Sequence, residues 1–264
     1  MSSSAIGNLR ALGLCGIDDS VDPELLALVS SSYPFVEWGV LFRPDLVGQP
    51  RYASPEWLQT LFQTKERSGG VLKLAGHLCG SHVNTVLSGD ASFVKKIASR
   101  GFGRVQVNAT AINGVNTENL SGSVELFLKA IRDAPEVEWI VQRNEETRPL
   151  WEPLEQMKGD LPENVSFLFD SSCGKGVLPS SFPPPTEDNI PCGYAGGIGP
   201  TNVFEVLNGV MAVIGSKDRM VWIDMESIDY DFTNHASAPV RLAVKIECSS
   251  CAKSSLPRLS WSES

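Results

Sequence analysis

The chain has 264 residues, 42% of them hydrophobic and 20% charged, with a formal net charge of −9. Such a composition buries one sizeable core and excludes a wholly disordered chain. The acidic balance argues against nucleic-acid or anionic-membrane binding, which needs a basic face, although backbone N–H groups can still build a local phosphate site.

Short apolar runs alternate with helical patterns along the chain. The first run is Ala11–Cys15, and Pro23 then opens a pattern carrying Leu25, Leu26, Leu28 and Val29. Val36–Phe42 is the second run. Ser54-Pro-Glu-Trp57 marks a helix start, with Ser as cap, Pro in the first turn and Glu at the positive end of the dipole. A third run, Val71–Ala75, precedes a helix over Phe93–Ala98. Arg104–Asn108 is the fourth run, and Val124, Phe127, Leu128 and Ile131 then share one helical face. Trp139–Gln142 is followed by a helix over Leu150–Met157, and Phe167–Asp170 is the sixth run. Cys192–Ala195, a helix over Thr201–Ile214 and Met220–Met225 complete the series.

Eight strands separated mostly by helices predict a parallel sheet, most simply one closed (β/α)8 barrel of the TIM class over residues 1–232, with an open doubly wound sheet as the rival. Ser171–Pro191 is rich in Ser and Pro without helical period and is expected as a long loop on the active face. Residues 233–264 are expected to be a divergent, irregular segment in which Val240–Cys248 is short for a closing helix.

The N-terminal MSSSAIGNLR lacks the apolar core of a secretory signal, and no apolar run approaches the roughly 18 residues that span a bilayer. A cytoplasmic protein is expected, with most of its six cysteines as free thiols. Cys248-Ser-Ser-Cys251 has no second ligand pair to complete a zinc site. His77 and Cys79 could join Cys15 around a metal, but two local ligands are too few, and packing or pocket lining is the expected role. His82 and His235 are read as surface residues. No metal and no cofactor are expected.

In such barrels the C-terminal strand ends carry the chemistry. Here they bear Cys15, Arg43 and then Arg51, His77, Asn108, Gln142, Asp170, Gly196-Gly197 and Asp224. Several of these lie in stretches with a common resemblance. Leu14-Cys-Gly-Ile17, Gly39-Val-Leu-Phe42 with Pro50-Arg-Tyr-Ala-Ser-Pro55, Val105-Gln-Val107, Phe169-Asp-Ser-Ser-Cys-Gly-Lys-Gly176 and Ala195-Gly-Gly-Ile-Gly-Pro-Thr-Asn-Val203 are similar, in order, to motifs of phosphoribosylanthranilate isomerase.

The resemblance implies a cofactor-free Amadori rearrangement of an aminoaldose phosphate in tryptophan biosynthesis. It implies Cys15 as general base and Asp170 as general acid. It also implies Arg51 on a substrate carboxylate, Gly196 and Gly197 on the phosphate, and Asp224 and Ser227 as further substrate contacts. A carboxyl beside Phe167 and Phe169 would be pushed toward the acid role. The implied partner is a small phosphosugar, with neither nucleic acid nor membrane. Asn108 stands where the family has histidine, and Ile228 and Asp229 stand where it approaches phosphate through Gly. These departures open an alternative: a non-catalytic phosphosugar- or partner-binding barrel, or an isomerase of a different phosphosugar.

Overall fold

The computed structural model describes residues 8–186, 190–214 and 219–226, with backbone alone at Glu226. The C-terminal segment 233–264, together with Ser227, Ile228, Asp229, His235, Cys248 and Cys251, lies outside the described residues. Eight parallel strands close into a barrel in chain order: β1 (Leu9–Cys15), β2 (Val36–Phe42), β3 (Lys73–Leu78), β4 (Phe102–Val107), β5 (Glu138–Arg143), β6 (Val165–Phe169), β7 (Cys192–Tyr194) and β8 (Val221–Glu226). The closing pair sets Leu12 against Ile223 and Gly13 against Asp224. The expected (β/α)8 barrel is the fold, and the open sheet is excluded.

The outer layer holds α1 (Pro23–Ser32), α2 (Pro55–Arg67), α3 (Ser81–Leu87), α4 (Ser92–Ala98), α5 (Val124–Asp133), α6 (Arg148–Gln156) and α7 (Val203–Ile214). Helix α1 begins where Asp22 accepts from the Glu24 amide at 2.9 Å, and α2 where Ser54 accepts from the Trp57 amide at 3.2 Å. Helix α3 has no side-chain cap and starts from Gly80, whose φ of 56° is left-handed. That start carries no sequence signal. The stretch after β6 holds neither helix nor strand over residues 171–186, as expected of a long loop. None of the described helices is long and apolar enough to cross a membrane.

Because strand side chains alternate, each strand presents one set to the helices and one to the barrel interior. Trp38, Val105, Val141, Phe167, Phe169 and Ile223 belong to the main core between sheet and helices. The interior is filled in three tiers. At the N-terminal strand ends, Arg104 bridges Glu37 (Nη1 to Oε1, 2.7 Å) and Glu138 (Nη2 to Oε1, 3.4 Å), with its guanidinium 4.1 Å from the ring centre of Trp222. Ala11, Ile140, Leu168, Ala195 and Trp222 form an apolar plug in the middle. Above them, at the C-terminal strand ends, the filling turns polar again.

Candidate active site

Cys15, the last residue of β1, turns into the barrel beside Leu41 and Cys79. Its Sγ lies 3.3 Å from Nδ1 of His77. His77 is inside β3, which runs three residues further than the expected Ala75 end. The opposite ring nitrogen, Nε2, is 3.9 Å from Oδ2 of Asp224 on β8. Thiol, imidazole and carboxyl therefore stand in a row, each side chain buried.

Two glycines make that row possible. A Cβ on Gly39 would sit 2.9 Å from His77 Nε2 and 3.0 Å from the Cα of Cys15; one on Gly13 would sit 2.3 Å from Asp224 Oδ1. The missing side chains are the space into which the imidazole and carboxyl lean.

Burial pushes His77 down to about 4, with Arg104 and Arg51 acting the same way against Glu37, so the ring is neutral at pH 7. Burial, the charge of Glu37 and the charge of Asp170 push Asp224 up to about 7, against the pull of Arg104. Asp224 can thus hold or release a proton near neutrality.

Asp170 follows β6 and is fully buried. Four donors converge on it: Gln142 Nε2 (2.6 Å) and the Gly174 amide (3.0 Å) on Oδ2, and the Ser172 hydroxyl (2.6 Å) and amide (3.1 Å) on Oδ1. The expected apolar surround is not there. Phe167 and Phe169 face the helices, and strand alternation turns Asp170 the other way, among hydrogen-bond donors.

Arg51 has a left-handed backbone (φ 73°), and its amide donates to the carboxylate of Asp18. Its Nε approaches to 3.0 Å from where a Gly16 side chain would begin, next to Cys15, and it has no hydrogen-bond partner among the described residues. Gly196 and Gly197 both have positive φ, at 95° and 62°. Their bare Cα atoms admit the loop after β6: a Cβ on Gly196 would lie 2.9 Å from Asp170 Oδ1, and one on Gly197 2.3 Å from the Leu178 amide nitrogen. Asn202 ties the turn before α7 together, accepting from the Gly199 amide at 2.9 Å and donating to the Gly197 carbonyl at 2.8 Å.

The structure thus gathers Cys15, Arg51, Asp170, Gly196, Gly197 and Asp224 at one end of the barrel. It adds His77 as the link between Cys15 and Asp224, and Gln142 and Ser172 as the holders of Asp170. Asn108 stands nearby, accepting from Gln106 Nε2 at 2.7 Å and donating toward Cys79 Sγ at 3.5 Å. His82, read as a surface residue, is half-buried, its ring stacked on Phe93 at 3.7 Å. Among the described residues no three His, Cys, Asp or Glu side chains form a metal-binding group, and no disulfide involves Cys15, Cys79, Cys173 or Cys192.

No family model matches the chain, and no curated protein is similar to it. Solved structures are similar as whole barrels. A variant tryptophan synthase alpha-subunit of Pyrococcus furiosus aligns at a TM-score of 0.52 and 13% identity over 91% of this chain and 96% of that one. KDPG aldolase of Legionella pneumophila aligns at 0.48 and 14% identity over 93% and 98%, and KGPDC of Streptococcus mutans at 0.44 and 14% over 90% and 99%. At these identities the likeness is one of fold alone. The comparisons overturn the resemblance to phosphoribosylanthranilate isomerase. No model of that family matches, and the tryptophan synthase alpha-subunit barrel belongs to another family. The Amadori reaction of phosphoribosylanthranilate rested on that resemblance and is withdrawn with it.

Proposed function

We propose that the chain is an enzyme that moves protons on a small anionic sugar phosphate or related hydroxycarbonyl compound, interconverting isomers without a cofactor. The observation that carries this reading is the Cys15–His77–Asp224 row, 3.3 and 3.9 Å between successive polar atoms, at the strand ends where barrels of this class place their chemistry.

The reaction needs a base to take a proton from carbon next to a carbonyl and an acid to protonate the carbonyl oxygen. The C–H electron pair then becomes the double bond of an enediol; returning that proton to the other carbon, while the neighbouring hydroxyl gives its own proton back to the acid's conjugate base and becomes the new carbonyl, completes the isomerisation. His77 has Nδ1 in reach of the Cys15 thiol, and since burial disfavours its cation it would relay the thiol proton through Nε2 toward Asp224 rather than keep it, leaving a thiolate to act as base. Of the two carboxyls, Asp224 suits the acid role better, since an acid must carry its proton at working pH and Asp224 is pushed up to about 7. Asp170, with four donors on its oxygens, holds the loop after β6 in place and faces the same space. Arg51, its Nε unpaired among the described residues, would receive the substrate's anionic group, with Gly196 and Gly197 shaping the wall around Asp170.

The test is proton exchange rather than product assay. The protein is incubated in D2O with a panel of aldose and ketose phosphates, and loss of the C–H signal beside the carbonyl is followed by proton NMR. Exchange that disappears in Cys15→Ser is the expected result. Folded protein that exchanges no member of the panel would remove the isomerase reading.

A further inference from the structure

We propose that the barrel carries a second small-molecule site at its N-terminal end, facing away from Cys15, and that it takes a compact oxyanion of the phosphate type. A cavity of about 380 Å³ opens there, within the range of ligand sites. Arg104 and Glu37 are its floor, and Arg10, Lys65, Lys73 and Glu138 stand around it. Four cations thus face two carboxylates in a chain whose net charge is −9.

Both carboxylates are already engaged. Glu37 pairs with Arg104 at 2.7 Å, and Glu138 receives Arg10 Nη1 at 3.0 Å and Arg104 Nη2 at 3.4 Å. Lys65 and Lys73 have no carboxylate within ion-pair distance among the described residues. Two positive charges are therefore left over, one on half-buried Lys65 and one on exposed Lys73.

The sequence builds this wall. Lys65, in the last turn of α2, passes its stem directly over Gly101, where a Cβ would lie 2.3 Å from Lys65 Cε. Its ammonium then donates to the carbonyl of Leu72. One carbonyl does not balance a half-buried ammonium, and burial holds Lys65 below its ordinary range. An anion beside it would supply the missing charge. Arg104 closes the floor at only 5% exposed, its Nε without a partner among the described residues and covered from the cavity. Gly70 and Gly103 leave the rim open, since a Cβ at either would meet nothing within 4 Å.

Inorganic phosphate is the probe, titrated into the full chain at ionic strength held constant with sodium chloride. Backbone amide shifts at Leu72, Gly101 and Gly103 should move saturably, with a midpoint of their own, distinct from any shift at Gly16 and Gly196 caused by phosphate on Arg51. In Lys65→Met/Lys73→Met, which keeps both aliphatic stems, affinity should fall by about tenfold or more, the cost of losing a charge-assisted contact. Arg51→Met, at the other end of the barrel, should bind phosphate at the N-terminal end unchanged. Binding that shifts only the Gly16 and Gly196 amides, that survives the double lysine variant, or that chloride reproduces equally would overturn the proposal, as would no saturable shift at all. None of these results bears on proton exchange at Cys15, so the two readings fail independently.

Discussion

The carboxyl of Asp224 occupies the space that a side chain at position 13 would need: a Cβ there would stand 2.3 Å from its Oδ1. Gly13→Ala must therefore displace the carboxyl from beside His77. Overpacking of this kind costs about 1–3 kcal/mol. Gly39→Ala strikes the imidazole from the other side, at 2.9 Å from Nε2. Each variant should unfold at lower denaturant concentration with an unchanged m-value, and each should lose proton exchange by more than its stability loss explains. Alanine at either position with full exchange activity would show that the row is not needed.

His77 and Asp224 make opposite contributions to stability as pH changes. Asp224 is raised from 3.8 to about 7, so between those values the folded chain holds a proton that the unfolded chain has lost. Its contribution to stability falls as pH rises through that window, by up to roughly 4 kcal/mol. His77 is lowered from 6.5 to about 4, so between those values the unfolded chain holds the extra proton, and stability rises with pH. The two slopes largely cancel between about pH 4 and 6.5 in the native protein. Urea melts across that range should show stability rising with pH in Asp224→Asn relative to the parent, and falling with pH in His77→Gln. Parallel profiles for all three proteins would mean that these groups are not shifted as described.

Arg104 links the lower tier to the site above it. Buried at 2.7 Å from Glu37, it balances a carboxylate that is itself only 6% exposed. Arg104→Met should cost about 3–5 kcal/mol by stranding that charge. Adding Glu37→Gln should recover most of the loss, since a buried ion pair is worth little once both charges are gone. A double variant no more stable than Arg104→Met would place the cost in the lost packing of Arg104 on Trp222, which lies 4.1 Å away.

The barrel was legible because its signals are local. The cap at Ser54, the helix opening at Pro23, the single-faced helix at Val124–Ile131 and eight short apolar runs each follow from neighbouring residues. The site was half legible. Cys15, Asp170 and Asp224 could be placed at strand ends, but their mutual arrangement depends on which side chains are absent across the barrel. His77 reads as packing or pocket lining because His77 and Cys79 are too few ligands for a metal and the third apolar run stops at Ala75. In the fold Gly76 continues β3, its bare Cα admitting Ile97 and Phe42 from the helical side, where a Cβ would lie 2.8 and 3.3 Å away. The available signal was Gly13 and Gly39, two inward glycines facing His77 and Asp224. Phe167 and Phe169 misled for a related reason, as residues adjacent in a strand do not share a face.

Gly197 tests the loop after β6. A side chain there would run into the backbone of Val177 and Leu178, at 2.7 and 2.3 Å, and its φ of 62° is strained for any residue with a Cβ. Gly197→Ala should detach the loop without unfolding the barrel. Limited proteolysis should then cut within Ser171–Phe182 at least several-fold faster, while the far-ultraviolet circular dichroism stays unchanged. Equal cleavage rates would show that the loop is held by Asp170 and its donors alone.

Cys15 and Arg51 separate chemistry from binding. Cys15→Ser keeps the size and hydrogen-bonding pattern but replaces a thiol with a far weaker acid, so a step that needs the thiolate should slow by about 10²–10⁴-fold with little change in KM. Arg51→Met removes a charge from beside Gly16 without touching the Cys15–His77 contact, and should raise KM for an anionic substrate while kcat falls less. The pH profile discriminates further. With Asp224 as the acid at about 7, the parent's rate should fall as pH rises through that value. That limb should vanish in Asp224→Asn and persist, at whatever residual rate, in Asp170→Asn. If it vanishes in Asp170→Asn and survives in Asp224→Asn, the acid is Asp170, and Asp224 serves only to hold His77 in line.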